Sequence, residues 1–182
     1  MISCEDRDHL TCTDDVLLDS IIEWYNLDNK SINRFLSIVK RKHGLSLRII
    51  DWLVTNYSKI HSLTIDTADF PRDLNRDYQK HLNAFSKKNL DPFARRNKIK
   101  IKVKHGNGSI EFRTTTVGQL NFFRWFISNN IEDILRSERS KIELHMKGIE
   151  NRKNNESKVI SKPVSMSPQA YVGSFNMNFD FN

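Results

Sequence analysis

The chain has 182 residues, 38% of them hydrophobic and 28% charged, and a formal net charge of +7. That is enough for one domain with a real core. Its two cysteines, both near the N-terminus, exclude a disulfide scaffold and favour a reducing compartment. With no charged-then-apolar leader and no apolar run near ~18 residues, neither classical secretion nor a membrane span is expected.

Charge is unevenly spread. Residues 1–30 carry eight acids against Arg7 and Lys30, about −6, which leaves about +13 for the rest. A basic body with an acidic head favours an anionic partner such as DNA or RNA. The plainer alternative is that the head neutralises the body in cis.

Residues 1–12 read as an acidic flexible leader. Thr13 is positioned to cap a helix over 14–26, with Leu17, Leu18, Ile21, Ile22 and Tyr25 on one side. Ser31 is positioned to cap a second helix, which ends in a cationic turn and Gly44. Ser46 opens a third helix through about Tyr57, apolar nearly all round, with Trp52 in its core. His61–Asp66 alternates like a short strand, and Pro71 suits the first turn of a fourth helix. Asp91-Pro92 marks a turn.

Lys98–His105 is the clearest strand: Ile99, Ile101 and Val103 point one way, and Lys98, Lys100, Lys102 and Lys104 the other. Gly106-Asn107-Gly108 is a turn signal, after which Ile110 and Phe112 resume the alternation. The longest helix signal is Thr114–Met146. Thr116 and Gln119 form a capping box, and Leu120, Phe123 and Ile127 belong to the apolar stripe, with Trp125 on its edge. Gly118 costs about 1 kcal/mol against Ala inside a helix, but near the start it lets another backbone approach.

The fold class inferred is α+β: a helical N-terminal half, then a small antiparallel sheet packed on one long helix. The sheet is the hairpin plus a C-terminal strand at 173–182, where Phe175, Met177, Phe179 and Phe181 alternate with polar residues. Residues 13–150 form a single domain, and 151–172 a polar linker.

Three segments, WLVTNYSK at 52–59, DPFARR at 91–96 and TTTVGQLNFFRW at 114–125, resemble an uncharacterised protein family of nucleocytoplasmic large DNA viruses, the group that includes iridoviruses and giant viruses. The family has no established activity. The resemblance therefore implies a setting, the virion or the viral factory in the host cytoplasm, and no mechanism. Where that pattern often has Cys, this chain has Ala94, which removes support for a metal or redox role of the turn.

The candidate site is the basic surface. Residues 72–113 hold twelve Lys/Arg against four Asp/Glu. Lysines on one strand face stand about 7 Å apart, suited to phosphates, whose neutralisation gives salt-dependent affinity. Arg95, Arg96, His105 and Arg113 adjoin them as further candidates. The competing reading is an edge strand whose lysines block aggregation. A helix-turn-helix reading face at Arg48, Asp51, Thr55, Asn56 and Lys59 conflicts with the apolar crowding of that helix. Cys4, His9 and Cys12 fit no common zinc spacing, and no nucleophile, Walker or HExxH motif occurs. Neither a metal, nor another cofactor, nor enzymatic activity is expected. The function expected is nucleic-acid association through the hairpin face. The alternative is a structural or adaptor role through the sheet edge or the C-terminal strand.

Overall fold

The computed structural model describes residues 1–160 except 8, 43 and 67–69. The chain divides into two units, Met1–Lys147 and Gly148–Asn182. Both sheets lie in the first unit, and residues 148–160 of the second are helical.

The elements run β1 (Ile2–Cys4), α1 (Cys12–Leu27), α2 (Asn29–Val39) and α3 (Leu47–Trp52), which continues through a π-helical turn, Leu53–Tyr57, into α4 (Ser58–His61). Then come β2 (Thr64–Ile65), β3 (Arg72–Asp73), α5 (Leu74–Phe85) and a 3-10 turn, Lys87–Asn89. The hairpin β4 (Lys98–Lys104) and β5 (Ile110–Thr116) leads into α6 (Val117–Ser128) and α7 (Ile131–Ile160). The fold is α+β, with an antiparallel sheet in the order β1-β4-β5 and a two-stranded sheet of β2 and β3.

Helix starts follow local capping chemistry. Thr11, not Thr13, accepts the Asp14 N–H of α1. Asp28, not Ser31, accepts the Lys30 N–H of α2. Ser46 caps α3 as expected, and Asp73, two residues past Pro71, caps α5. The π-helical turn inserts one residue into α3–α4, so the Ser58 N–H reaches the Leu53 carbonyl. The Val54 carbonyl within it accepts the Ser58 hydroxyl at 2.8 Å and the Asn75 amide at 3.3 Å, so the irregularity leaves no orphan acceptor there.

Three further expectations need correction. The N-terminal leader is not loose. Ile2 is buried, its N–H and C=O are held by the Asn26 side chain at 2.6 and 3.0 Å, and β1 pairs with β4 in the register Ile2↔Val103. A strand edge needs partners for its backbone groups, and here the N-terminus supplies them. The long helix expected over 114–146 is broken. Asn130 takes a left-handed backbone, φ 49, and the Asn129 side chain donates to the Trp125 carbonyl at 2.8 Å. The linker expected at 151–172 is helical over 151–160. Its remainder and the strand expected at 173–182 lie outside the described residues.

One core unites the layers. Ile2, Ile99, Ile101 and Val103 from the sheet join Tyr25, Phe35, Leu120, Phe122, Phe123, Phe126 and Ile127 from the helices. Phe35 meets Phe123 edge-on at 5.6 Å, and the Tyr25 hydroxyl donates to the Leu120 carbonyl at 3.2 Å. Trp125, expected at the stripe's edge, is buried, and its indole N–H donates to the buried Asp77 carboxylate at 2.8 Å. Arg72 meets the other oxygen of Asp77 at 2.8 Å, so the carboxylate is buried with its acceptors used. Trp52 is half-buried, and its indole N–H donates to His145 Nδ1 at 3.1 Å.

The start of α6 is pressed against the 3-10 turn. A Cβ at Gly118 would overlap the Lys88 carbonyl oxygen. Asn121 donates to the Asn89 carbonyl at 2.8 Å, and the Asp91 N–H reaches the Gly118 carbonyl at 3.3 Å. The capping box is half-formed. Thr116 accepts the Gln119 N–H at 3.1 Å, but the Gln119 side chain accepts from the Thr115 hydroxyl and donates to the Pro92 carbonyl at 2.8 Å. Gly118→Ala should therefore destabilise the fold by about 1–3 kcal/mol through overpacking, outweighing the ~1 kcal/mol Ala normally gains inside a helix. Urea denaturation measures it. A stabilised variant would show that the two backbones are not in close contact.

Candidate nucleic-acid interface

The alternation of β4 sorts its side chains. Ile99, Ile101 and Val103 are buried, Lys98, Lys100 and Lys104 are exposed, and Lys102 is half-buried. Residues facing each other across an antiparallel pair share a face. The register Lys100↔Thr114, Lys102↔Phe112 and Lys104↔Ile110 therefore puts Thr114, Phe112 and Ile110 with the lysines, and Ser3 of β1 joins them opposite Lys102.

The apolar residues of the returning strand face outward. Ile110 and Phe112 do not lean on the helices with Ile99; they are 51% and 50% exposed. The reversing loop sets this parity. The His105 N–H reaches the Ser109 carbonyl at 2.9 Å, the Gly108 N–H reaches the His105 carbonyl at 3.0 Å, and Gly108 has φ 82, a conformation glycine adopts without strain. The lysine ammonium groups of Lys100 and Lys102 lie 4.8 and 5.9 Å from the centre of the Phe112 ring. The result is an aromatic ring surrounded by cations on an open sheet face.

Among the described residues the ridge is nearly unneutralised. Lys102 lies 3.8 Å from Glu5, with both side chains 39% exposed, a pair of little energetic weight. Among the described residues no carboxylate stands within ion-pair distance of Lys98, Lys100 or Lys104. The acidic head is engaged elsewhere. Asp14, buried, takes Lys88 at 2.6 Å and Asn89 at 3.0 Å, while Asp15 and Asp19 take Arg7.

Two candidates leave the ridge. His105 has its Nε2 3.5 Å from Glu111, which also takes Lys40 at 2.7 Å. Both lie on the inner side of the hairpin. Arg113 faces Ile101 across the register, so it shares the inner face and is half-buried. Arg95 and Arg96 are exposed and line a cavity of about 710 Å³ beside the start of α6, together with Lys88, Phe93 and Thr116. Their turn is held by the Asp91 carboxylate, which accepts the Phe93 N–H at 2.8 Å, and by Gln119 on Pro92.

The other sequence candidates disperse. Of the helix-turn-helix face, Arg48 and Lys59 are exposed while Asp51, Thr55 and Asn56 are half-buried, with Thr55 donating to the Asp51 carbonyl at 2.8 Å; Ile49, Ile50, Leu53, Val54 and Tyr57 of the same segment are buried. The aromatic cluster at 122–126 is core. Cys4 is half-buried and Cys12 exposed. Among the described residues no three His, Cys, Asp or Glu side chains gather in a way that could hold a metal, and no helix is long and apolar enough to cross a membrane.

Fold and site together define an α+β protein with a cationic, partly aromatic sheet face. The chain belongs to the Family of unknown function (DUF7197), whose model matches residues 2–176. It is 30% identical over 176 residues to Uncharacterized protein L507 of Acanthamoeba polyphaga mimivirus, covering 91% of this chain and 68% of the viral protein. That similarity associates the chain with an uncharacterised protein of a giant virus. No solved structure matches.

The inner pairing of Glu111 has a pH signature. The Lys40 hydrogen bond holds its carboxyl below the usual range, against burial and with help from His105. A carboxyl depressed in the folded state adds stability above its unfolded pKa and loses it as pH falls through the folded one. Glu111→Gln should therefore cost about 1 kcal/mol at neutral pH, with the difference from the parent vanishing in strong acid. Denaturation at both pH values checks this. An equal cost at both would contradict the pairing.

Proposed function

We propose that this is a non-enzymatic viral protein that binds single-stranded DNA or RNA on the outer face of the β1-β4-β5 sheet. The observation that carries the reading is Phe112, half-exposed on the β5 edge of that face with two lysine ammonium groups over its ring. Single-strand binders combine a cationic track for the backbone with aromatic rings on which bases stack. Lysines at alternate strand positions, about 7 Å apart, suit the track. Arg95 and Arg96 extend it past the start of β4. Such a protein would work where viral genomes or transcripts are handled, in the viral factory of the host cytoplasm or in the virion.

A second reading rests on the same strand. β5 is a sheet edge, and Ile110 and Phe112 are exposed apolar residues on it. A structural or adaptor role would add a strand from a viral protein partner along that edge.

Fluorescence anisotropy separates the two. The intact protein should retain a labelled single strand at about 50 mM salt, where phosphate contacts are strong. Changing Lys98, Lys100, Lys102 and Lys104 to Glu should abolish retention while leaving helix content unchanged. Phe112→Ala should weaken single-strand binding by about 1–3 kcal/mol. Each phosphate contact removed should flatten the salt dependence by about 0.7 in log–log slope. No retention by the parent protein at low salt would sink the nucleic-acid reading. Loss of a protein partner in the Phe112→Ala variant, with nucleic acid ignored, would favour the second.

A further inference from the structure

A cavity of about 580 Å³ opens where the end of α3 and the π-helical turn meet α5 and the 3-10 turn. Asp51, Tyr78, Lys87 and Asp91 line it, with Leu82 and Leu90 as apolar wall. It joins residues separated by up to forty positions, and Asp91 opens the turn that carries Arg95 and Arg96.

Tyr78 is the telling group. The residue is 5% exposed, and its ring packs on Trp125 at 5.3 Å and edge-on to Phe122 at 6.3 Å. Its hydroxyl makes no hydrogen bond with any described residue, and the residue lines the cavity. Burial first, then the charges of Asp51 and Asp91, push its ionisation up to about 12. The hydroxyl thus stays protonated, and both carboxylates line the same cavity.

The carboxylates are themselves short of donors. The Asp51 side chain accepts no hydrogen bond from a described residue. Burial and the neighbouring Asp91 push its pKa up, opposed by Lys87. Asp91 uses one oxygen on the Phe93 N–H at 2.8 Å. Lys87 lines the same cavity but forms no ion pair with a described residue, so its charge offsets the acids only in part. Two like charges with spare acceptors, an unpartnered hydroxyl and an apolar wall call for a cation that donates hydrogen bonds and carries a hydrocarbon stem. A bare metal ion fits less well, because among the described residues no third His, Cys, Asp or Glu joins the pair to hold one.

We propose that this cavity binds a small aliphatic amine in its ammonium form, held between the Asp51 and Asp91 carboxylates with the Tyr78 hydroxyl as a third contact. The ammonium donates to both acids and to the phenolic oxygen. Leu82, Leu90 and the tyrosine ring cover the stem. The site is independent of the sheet face.

Isothermal titration of the full chain with putrescine, at constant ionic strength, tests this. Parallel titrations use magnesium, manganese and calcium chloride. Saturable putrescine binding at or below about 1 mM is expected. Asp51→Asn should weaken it roughly tenfold or more, as loss of a charged hydrogen-bond acceptor does. Tyr78→Phe, which keeps the packed ring, should weaken it by a few-fold with circular dichroism unchanged. The variant carrying Glu at positions 98, 100, 102 and 104 should bind putrescine like the parent, so failure of the sheet-face reading and failure of this one are separable. No saturable binding would overturn the proposal. So would equal affinity in Asp51→Asn and Tyr78→Phe, or saturation by a divalent metal without putrescine.

Discussion

The structure depends on how closely the first turn of α6 approaches the backbone of Lys88. Only a residue without a Cβ permits that approach, because the Lys88 carbonyl oxygen occupies the space a side chain would take at position 118. Once the backbones touch, Gln119 and Asn121 become struts. Their amides hold the Pro92 and Asn89 carbonyls at 2.8 Å each. Irregular backbone between helices must have its polar groups satisfied somewhere, and here side chains of the central helix satisfy them. The same contacts fix where the chain emerges from Asn97 into β4, and so which strand residues turn inward.

That parity governs the outer face. Ile99, Ile101 and Val103 enter the core with Ile2, which leaves the even-numbered lysines of β4 outward. The register of the hairpin then decides that Phe112 and Ile110 accompany them. Charge is sorted in the same step. The acids of the first helix serve Arg7, Lys88 and Asn89, and Glu111 serves Lys40 and His105 on the inner side. The strand lysines are among the cations that this pairing leaves over. A cis-neutralised body would have required the acidic head to lie across them, and apart from the long Glu5–Lys102 approach the described residues do not do so.

Much of this was legible in the sequence because it is periodic. The apolar stripe of α6, the capping role of Ser46 and the two faces of β4 follow from spacing within one segment. What was not legible depends on partners remote in sequence. The N-terminal strand contains three residues, too few for a pattern, and exists because β4 offers an edge and Asn26 a clamp. Gln119 matches a capping box by type, yet the Pro92 carbonyl captures its side chain. The outward turn of Phe112 follows from the geometry of the His105–Ser109 loop, which apolar alternation alone does not encode. The break at Asn129-Asn130 was concealed by an apolar stripe that continues into Ile131 and Leu135. The grouping of Asp51, Tyr78 and Asp91 had no local signal at all, since three separate elements supply it.

The central claim is that one outward sheet face, with Phe112 among the strand lysines, is where a single-stranded nucleic acid lies. Titrating ¹⁵N-labelled protein with a short single-stranded oligonucleotide, while following the backbone amides, tests it most directly. The amides of Lys98–Lys104 and Ile110–Thr114 should shift together and saturate at one ligand concentration, with those of α7 unmoved. Shifts confined to α7 or to the cavity beside Tyr78, or none at all, would contradict it.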